Sequence, residues 1–140
     1  MKQGFAALLP YRKRGDAYEY FVQKRSLTAK RAAGQFGLFG GKLEVGETPD
    51  AAVLREIREE LTYECIPVPF FSYEFVDSFL HVYIEAVDAD FESRIQVEEG
   101  EYGVFLTLPE VMAEPLMNPM AATAIFEVDR MLEVAKQDEV

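Results

Sequence analysis

Residues Gly41 to Tyr63 read GKLEVGETPDAAVLREIREELTY, and the second half of this stretch carries every mark of a helix. Thr48 is a capping residue, Pro49 suits the first helical position, where its missing N–H costs nothing, and Asp50 sits at the positive end of the helix dipole. Leu54, Ile57 and Leu61 follow at i, i+3 and i+7, the spacing of a core-facing stripe. With Glu56 as zero on a helical wheel, Glu60 falls at about 40° and Glu59 at about −60°, so three carboxylates share an arc of about 100° adjoining the stripe. The expectation is a helix that packs its apolar face into the core while its acidic edge lines a cleft.

Clustered carboxylates repel one another, and helix propensity does not call for them. A divalent cation offsets the repulsion. The chain has one cysteine, Cys65, and one histidine, His81, which excludes a site built on several thiolates or imidazoles. Oxygen donors remain, and these suit Mg²⁺ or Mn²⁺, which bind one or two carboxylates and complete their shell with waters and substrate phosphates. Beside a diphosphate such an ion neutralises charge, orients the substrate and acidifies water. Arg55, one turn before Glu59, can hold that carboxylate through an i, i+4 contact.

Gly41, Glu47, Arg55, Glu56, Ile57, Glu59 and Glu60 match in order and spacing the box G-x5-E-x7-R-E-U-x-E-E-x-G-U, where U is aliphatic, and the chain thereby resembles the Nudix hydrolases. FGLFGGKLEVGET is similar to the glycine-rich approach common in that family. The resemblance implies an α/β/α sandwich around a central mixed β-sheet. It also implies that Glu56 and Glu60 bind metal, that Glu59 binds metal or helps activate water, and that the Gly41 carbonyl adds a ligand. Arg55 and Glu47 would be supporting residues, paired to shape the loop and the helix start. A further acidic ligand or base often comes from a later loop in such proteins, and Glu99 is the candidate, with Glu98 next. Two positions depart from the box. Thr62 replaces the glycine after the acidic helix, so the helix is expected to end differently, and Tyr63 replaces an aliphatic residue.

On either side of the box the pattern reads as α+β. Residues 4–11 and 18–24 form a strand hairpin across RKRGDA. From Ser26 to Gly46 five glycines make most of the segment a loop. PVPFFSYEFV and FLHVYIEAV give a second hairpin across Asp77-Ser78, with His81 an ordinary strand side chain. Residues 89–101 are an acidic loop, YGVFLTL a strand, and Thr107 to Glu110 a capping box. Asn118-Pro119 opens a last helix whose apolar face is Ala122, Ile125, Phe126, Met131 and Leu132.

At 140 residues, 49% of them hydrophobic and 28% charged, one globular domain over residues 1–140 is expected. No secretory pattern opens the chain and no apolar run reaches membrane length, so a cytoplasmic protein with no membrane partner is expected. A net charge of −11 argues against long nucleic acid as partner. The charge is uneven: residues 1–42 hold nine lysines and arginines against Asp16 and Glu19, a net of +7, leaving −18 on the remainder. A positive segment facing a small phosphorylated substrate fits this division, as does a merely solvated basic edge.

Among the Nudix proteins the box looks closest to the MutT-type branch, which hydrolyses nucleoside triphosphates, oxidised purine nucleotides among them. Asn118 could then read a base, although capping explains it equally well. Arg25, Lys42 and Phe39 complete the expected substrate-binding set, with Phe36, Phe79 and Tyr83 as other stacking candidates. Hydrolases of sugar nucleotides, ADP-ribose or dinucleoside polyphosphates would use the same helix. A nucleotide-sensing module without catalysis would be expected to lose acidic box residues, which are all present here. Isopentenyl-diphosphate isomerase, of the same fold, needs a cysteine and histidine constellation that Cys65 and His81 do not readily supply. Dimers are frequent among similar proteins, so a homodimer is among the expectations of the resemblance.

Overall fold

A computed structural model describes residues 2–138. β1 (Gln3–Arg14) and β2 (Ala17–Lys24) form the first hairpin, with Tyr11 to Arg14 opposite Tyr20 to Ala17. Toward its N-terminal end β1 leaves β2 and pairs instead with β4 (Phe39–Lys42), Phe5 to Leu8 lying antiparallel to Lys42 to Phe39. Pro10, which has no N–H to donate, falls at the fork between the two partners, where a missing ladder bond is tolerated. Beyond the fork, β3 (Phe36–Gly37) pairs with Gln23 and Lys24 of β2. The segment 36–42 is thus wedged between strands that have splayed apart.

Most of Ser26–Gly46 is loop, as expected, but two short strands, residues 36–37 and 39–42, are set within it. The glycines in the wedge serve close approach rather than irregular backbone. A Cβ on Gly40 would fall 2.1 Å from the Ala6 carbonyl oxygen, and one on Gly41 would fall 2.5 Å from Oε1 of Glu56. A strand without side chains here lets β4 lie directly on β1 and beneath the acidic helix.

The second hairpin is present as β5 (Val68–Glu74) and β6 (Ser78–Ala86), and β6 runs parallel to β1 over its whole length. β7 (Tyr102–Thr107) adds antiparallel to β2, so the sheet is mixed. Alternation along β1 sends Ala6 and Leu8 to one face and Ala7 and Leu9 to the other. The first face is covered by α1 (Pro49–Leu61), and the second by α2 (Leu108–Ala113) and α3 (Pro119–Asp138). The result is an α/β/α sandwich.

Two helix faces are rotated from their expected positions. On α1 the buried residues are Ala52, Val53, Ile57, Glu60 and Leu61, while Leu54 is 37% exposed. The periodicity misleads because a carboxylate, Glu60, occupies part of the inward arc. On α3 the buried set is Ala121, Ala124, Ile125 and Val128, and Phe126 and Met131 lie outward.

The end of α1 corrects another expectation. Thr62 adopts the left-handed conformation itself, at φ 50° and ψ 47°, and its N–H donates to the Arg58 carbonyl. The helix therefore ends as it would with glycine, at a steric cost of about 1–2 kcal/mol. Thr62→Gly is expected to raise stability by about 0.5–1 kcal/mol, since the freedom glycine regains in the unfolded chain offsets part of that strain. Chemical denaturation measures this; a destabilised variant would show that the Thr62 contact to Glu98 Oε1 at 3.3 Å outweighs the strain.

Tyr63 also has a structural reason. Its ring meets Phe91 edge-on at 5.3 Å, and its hydroxyl donates to Oε2 of the buried Glu85, whose Oε1 accepts from the Ile66 amide. An aliphatic residue would leave that carboxylate short of a donor. Tyr63→Phe is expected to cost about 1–3 kcal/mol in the same assay, the penalty for an unsatisfied buried polar group.

Candidate active site

Arg55 organises the approach to α1. Its Nε and Nη2 donate to the two oxygens of Glu47 at 2.8 and 2.9 Å, Nη2 also reaches the Lys42 carbonyl at 3.0 Å, and Nη1 reaches Glu56 Oε1 at 2.9 Å. This guanidinium holds Glu47 down to about 2, with the Glu44 amide helping. The expected contact to Glu59 is present but longer, 3.4 Å. Arg55 therefore clamps the 42–47 turn to the helix first, and touches Glu59 second.

The acidic residues differ sharply in their surroundings. Glu59 is half exposed. Glu56 lies against Gly41, and burial raises its pKa, opposed by Arg55 and reinforced by the charges of Glu59 and Glu99. Glu60 is only 2% exposed. Burial, followed by the charges of Glu56 and Glu99, pushes it up to about 8. The Gly40 amide and the Gln23 side chain oppose this shift; Oε2 accepts from Gln23 Nε2 at 3.2 Å, and Oε1 has no partner at hydrogen-bond geometry among the described residues.

Glu99 is near enough for its charge to raise both Glu56 and Glu60. The acidic loop that carries it is docked rather than free. The Gln96 and Glu98 amides donate to the Leu61 and Glu60 carbonyls, two of the groups a helix end leaves without partners, and the Glu101 amide donates to Lys24. Glu98 itself accepts from Thr62 Oγ1.

On the other side of β4 a cavity of about 500 Å³ opens between the sheet and α3. Its floor includes Ala7, Leu38, Leu80 and Met120, and Arg25, Arg31, Lys42, Asp77 and Asn118 supply polar and charged groups. None of the α1 carboxylates lines it; Gly41 touches Glu56 and also lines the cavity, so its backbone is the partition between the two regions. Of the expected substrate-binding residues, Arg25, Lys42 and Asn118 line this cavity. Asn118 also caps α3, with Oδ1 accepting from the Met120 and Ala121 amides and Nδ2 donating to Gln35 Oε1 at 3.0 Å.

Phe39 does not join them. It is fully buried, stacked on Phe21 at 5.3 Å in the core beneath α1, and presents no face to a base. Tyr83 is buried too, its hydroxyl bonded to Asp50, and Phe36 packs against Tyr102 outside the cavity. Sequence reasoning missed Gln23 and Arg31. Gln23 left a trace, because alternation along FVQK puts a polar residue on the same inward face as Phe21; Arg31 left only its membership of the basic segment 1–42.

The donor set fits a hard divalent cation. Among the described residues no three acidic, histidine or cysteine side chains converge as a ready-made cage. Such a cage is not required of an ion that takes one or two protein carboxylates and finishes its shell with waters and phosphates. A buried carboxylate with one unpartnered oxygen, beside a second carboxylate and under repulsion from a third, is the arrangement a cation would relieve.

Comparison with known proteins agrees with this geometry. A family model described as NUDIX domain matches residues 2–126. The 8-oxo-dGTP diphosphatase of Escherichia coli (strain K12) is 30% identical over 115 residues, covering 78% of this chain and 88% of the relative. The crystal structure of MutT protein from Methanosarcina mazei Go1 superposes with a TM-score of 0.70 at 19% identity, over 94% of this chain and 95% of that one. The NUDIX domain of Shewanella oneidensis NrtR, crystallised with ADP ribose, gives 0.72 at 15% identity over 94% and 89%. With box, sandwich and relatives in agreement, the chain belongs to the NUDIX family.

Proposed function

We propose that the protein hydrolyses a phosphoanhydride of a nucleoside diphosphate carrying a further group, using Mg²⁺ or Mn²⁺, and that its substrate is a nucleoside triphosphate, oxidised forms included. The observation that carries this reading is the unpartnered Oε1 of Glu60 in the same acidic group as Glu56, which lies against Gly41, a residue that also lines the 500 Å³ cavity. A bound divalent ion would neutralise the diphosphate and acidify the attacking water. Glu56 and Glu60 would hold it, with the Gly41 carbonyl and Glu99 as further donors. Glu59, half exposed, is the candidate to take the proton of the water, with Glu99 as the alternative base. The anhydride P–O bond breaks as water adds to phosphorus, giving nucleoside monophosphate and pyrophosphate. Arg25 and Lys42, which line the cavity, would meet phosphate oxygens.

The E. coli relative, an 8-oxo-dGTP diphosphatase, supports the triphosphate reading. Asn118 supports it as well. With Oδ1 committed to the helix cap and one N–H to Gln35, the amide offers a base its remaining N–H. The chain would act as one domain over residues 1–140, in the cytoplasm where such nucleotides are made, with a homodimer the oligomer to test by light scattering. The deciding experiment is phosphate and pyrophosphate release from nucleoside triphosphates, oxidised nucleotides, ADP-ribose, sugar nucleotides and dinucleoside polyphosphates with Mg²⁺ and Mn²⁺. A preference for triphosphates, with pyrophosphate as product, is expected. Turnover confined to ADP-ribose or dinucleoside polyphosphates would overturn the substrate assignment, and no turnover at all would favour a sensor.

A further inference from the structure

Gln23 is an amide on the inward face of β2, 1% exposed, in a strand otherwise closed by Tyr20, Phe21 and Val22. A polar side chain that deep is costly unless it is bonded. Both of its bonds are accounted for on the donor side: Nε2 donates to Glu60 Oε2 at 3.2 Å and to the Leu38 carbonyl at 3.3 Å. The Leu38 carbonyl is a pure acceptor, as is Glu60 once ionised, and a flipped amide would turn its oxygen toward that carbonyl, which fixes the orientation. The acidic loop closes over the same group, for a Cβ on Gly100 would fall 2.9 Å from Gln23 Oε1.

The two oxygens of Glu60 are thereby made unequal. Oε2 is tied to the amide, and Oε1 alone is left without a partner. We infer that Gln23 is a positioning residue for the metal centre: it holds Glu60 by one oxygen so that the other is offered to the cation. This rests on the proposed metal-dependent reading of the site. Leu38 lines the substrate cavity, so the same amide also anchors the wall between cavity and carboxylates, at the one point where β3 gives way to β4. Groups that orient metal ligands in this way are worth about 10–100-fold in metal affinity.

Gln23→Met keeps the length and approximate volume of the side chain and removes the donor. Titration of Mn²⁺ into the full-length protein, followed by electron paramagnetic resonance of the free ion, is expected to show affinity about 10–100-fold weaker than wild type. Gln23→Asn, which keeps the amide but falls a methylene short, is expected to weaken binding in the same direction, and serves if the Met variant fails to fold. A double-mutant cycle with Glu60→Gln separates positioning from general damage. Gln23→Met should cost little more once Glu60 is an amide, whereas an undiminished cost would mean that Gln23 acts elsewhere. Wild-type affinity in Gln23→Met and Gln23→Asn, alongside a large loss in Glu60→Gln, would overturn the role of Gln23 and leave the metal reading intact. Absence of Mn²⁺ binding by wild type would remove both.

Discussion

Replacing Glu60 by glutamine is expected to lower kcat by at least about 100-fold while leaving the metal-free protein as stable as wild type or more so. The two halves of this result come from one observation. Glu60 is buried at the inward arc of α1 with Glu56 and Glu99 repelling it, and its Oε1 has no partner at hydrogen-bond geometry among the described residues. In the absence of a cation the charge is a liability, and an amide of the same shape removes it. With a cation the same carboxylate would be a ligand that the amide replaces poorly. Glu56→Gln and Glu59→Gln are expected to lower kcat by comparable orders of magnitude, Glu56 as a ligand and Glu59 through the proton it takes. Near-normal turnover in Glu60→Gln and Glu59→Gln would sink the mechanism. A Glu60→Gln protein that loses activity only because it unfolds would sink the claim that the carboxylate is there for a cation.

The second expectation concerns pH. The folded-state pKa of Glu60 is raised from 4.5 to about 8, so the folded protein binds this proton more tightly than the unfolded chain does. Its contribution to stability is therefore greatest below pH 4.5, falls as pH rises toward 8, and is level above that. Glu56, also raised, acts in the same direction. Glu47, lowered to about 2, acts oppositely but in a separate window, losing its contribution as pH falls from 4.5 through 2. The raised thiol of Cys65, at about 11, exerts its effect above pH 9. Between pH 5 and 8 the metal-free protein should thus lose stability at up to about 1.4 kcal/mol per pH unit for the Glu60 proton. Glu60→Gln should flatten that slope. Mg²⁺ should restore stability at pH 8 far more than at pH 5, because it must displace a proton at the lower pH. A melting temperature that is flat from pH 5 to 8 in chelator, and unmoved by Glu60→Gln, would contradict the account.

How far the sequence could be read depended on whether an element follows its local pattern. The start of α1 was legible because Thr48, Pro49 and Asp50 act locally, and the structure shows Thr48 Oγ1 accepting from the Ala51 amide. Both hairpins and the capping box at Thr107 were legible for the same reason. The wedge 36–42 was not, because its glycines answer to the backbone of β1 and the carboxylate of Glu56, which are distant in sequence. The face of α1 was misjudged at Leu54 because an inward carboxylate breaks the apolar-inward rule that periodicity assumes. Phe39 is not the stacking residue expected, because the strands around it close it into the core against Phe21.

The site divides in the same way. Glu47, Arg55, Glu56, Glu59 and Glu60 could be named because box spacing is a property of one segment. The cavity draws on β1, the 25–32 loop, β4, the β5–β6 turn and the start of α3, and no single segment announces it. Gln23 shows what lies between these cases. Its polarity at an inward strand position was visible, but only the fold reveals that the carboxylate it meets is the one left half-bonded.

The most direct measurement is a crystal of the protein soaked in Mn²⁺ and examined for anomalous scattering. A peak is expected, bound by Glu56 and by Glu60 through Oε1, against the Gly41 backbone and on the side of β4 away from Leu80. No peak there at a Mn²⁺ concentration that supports hydrolysis, or a peak held by other residues, would contradict it.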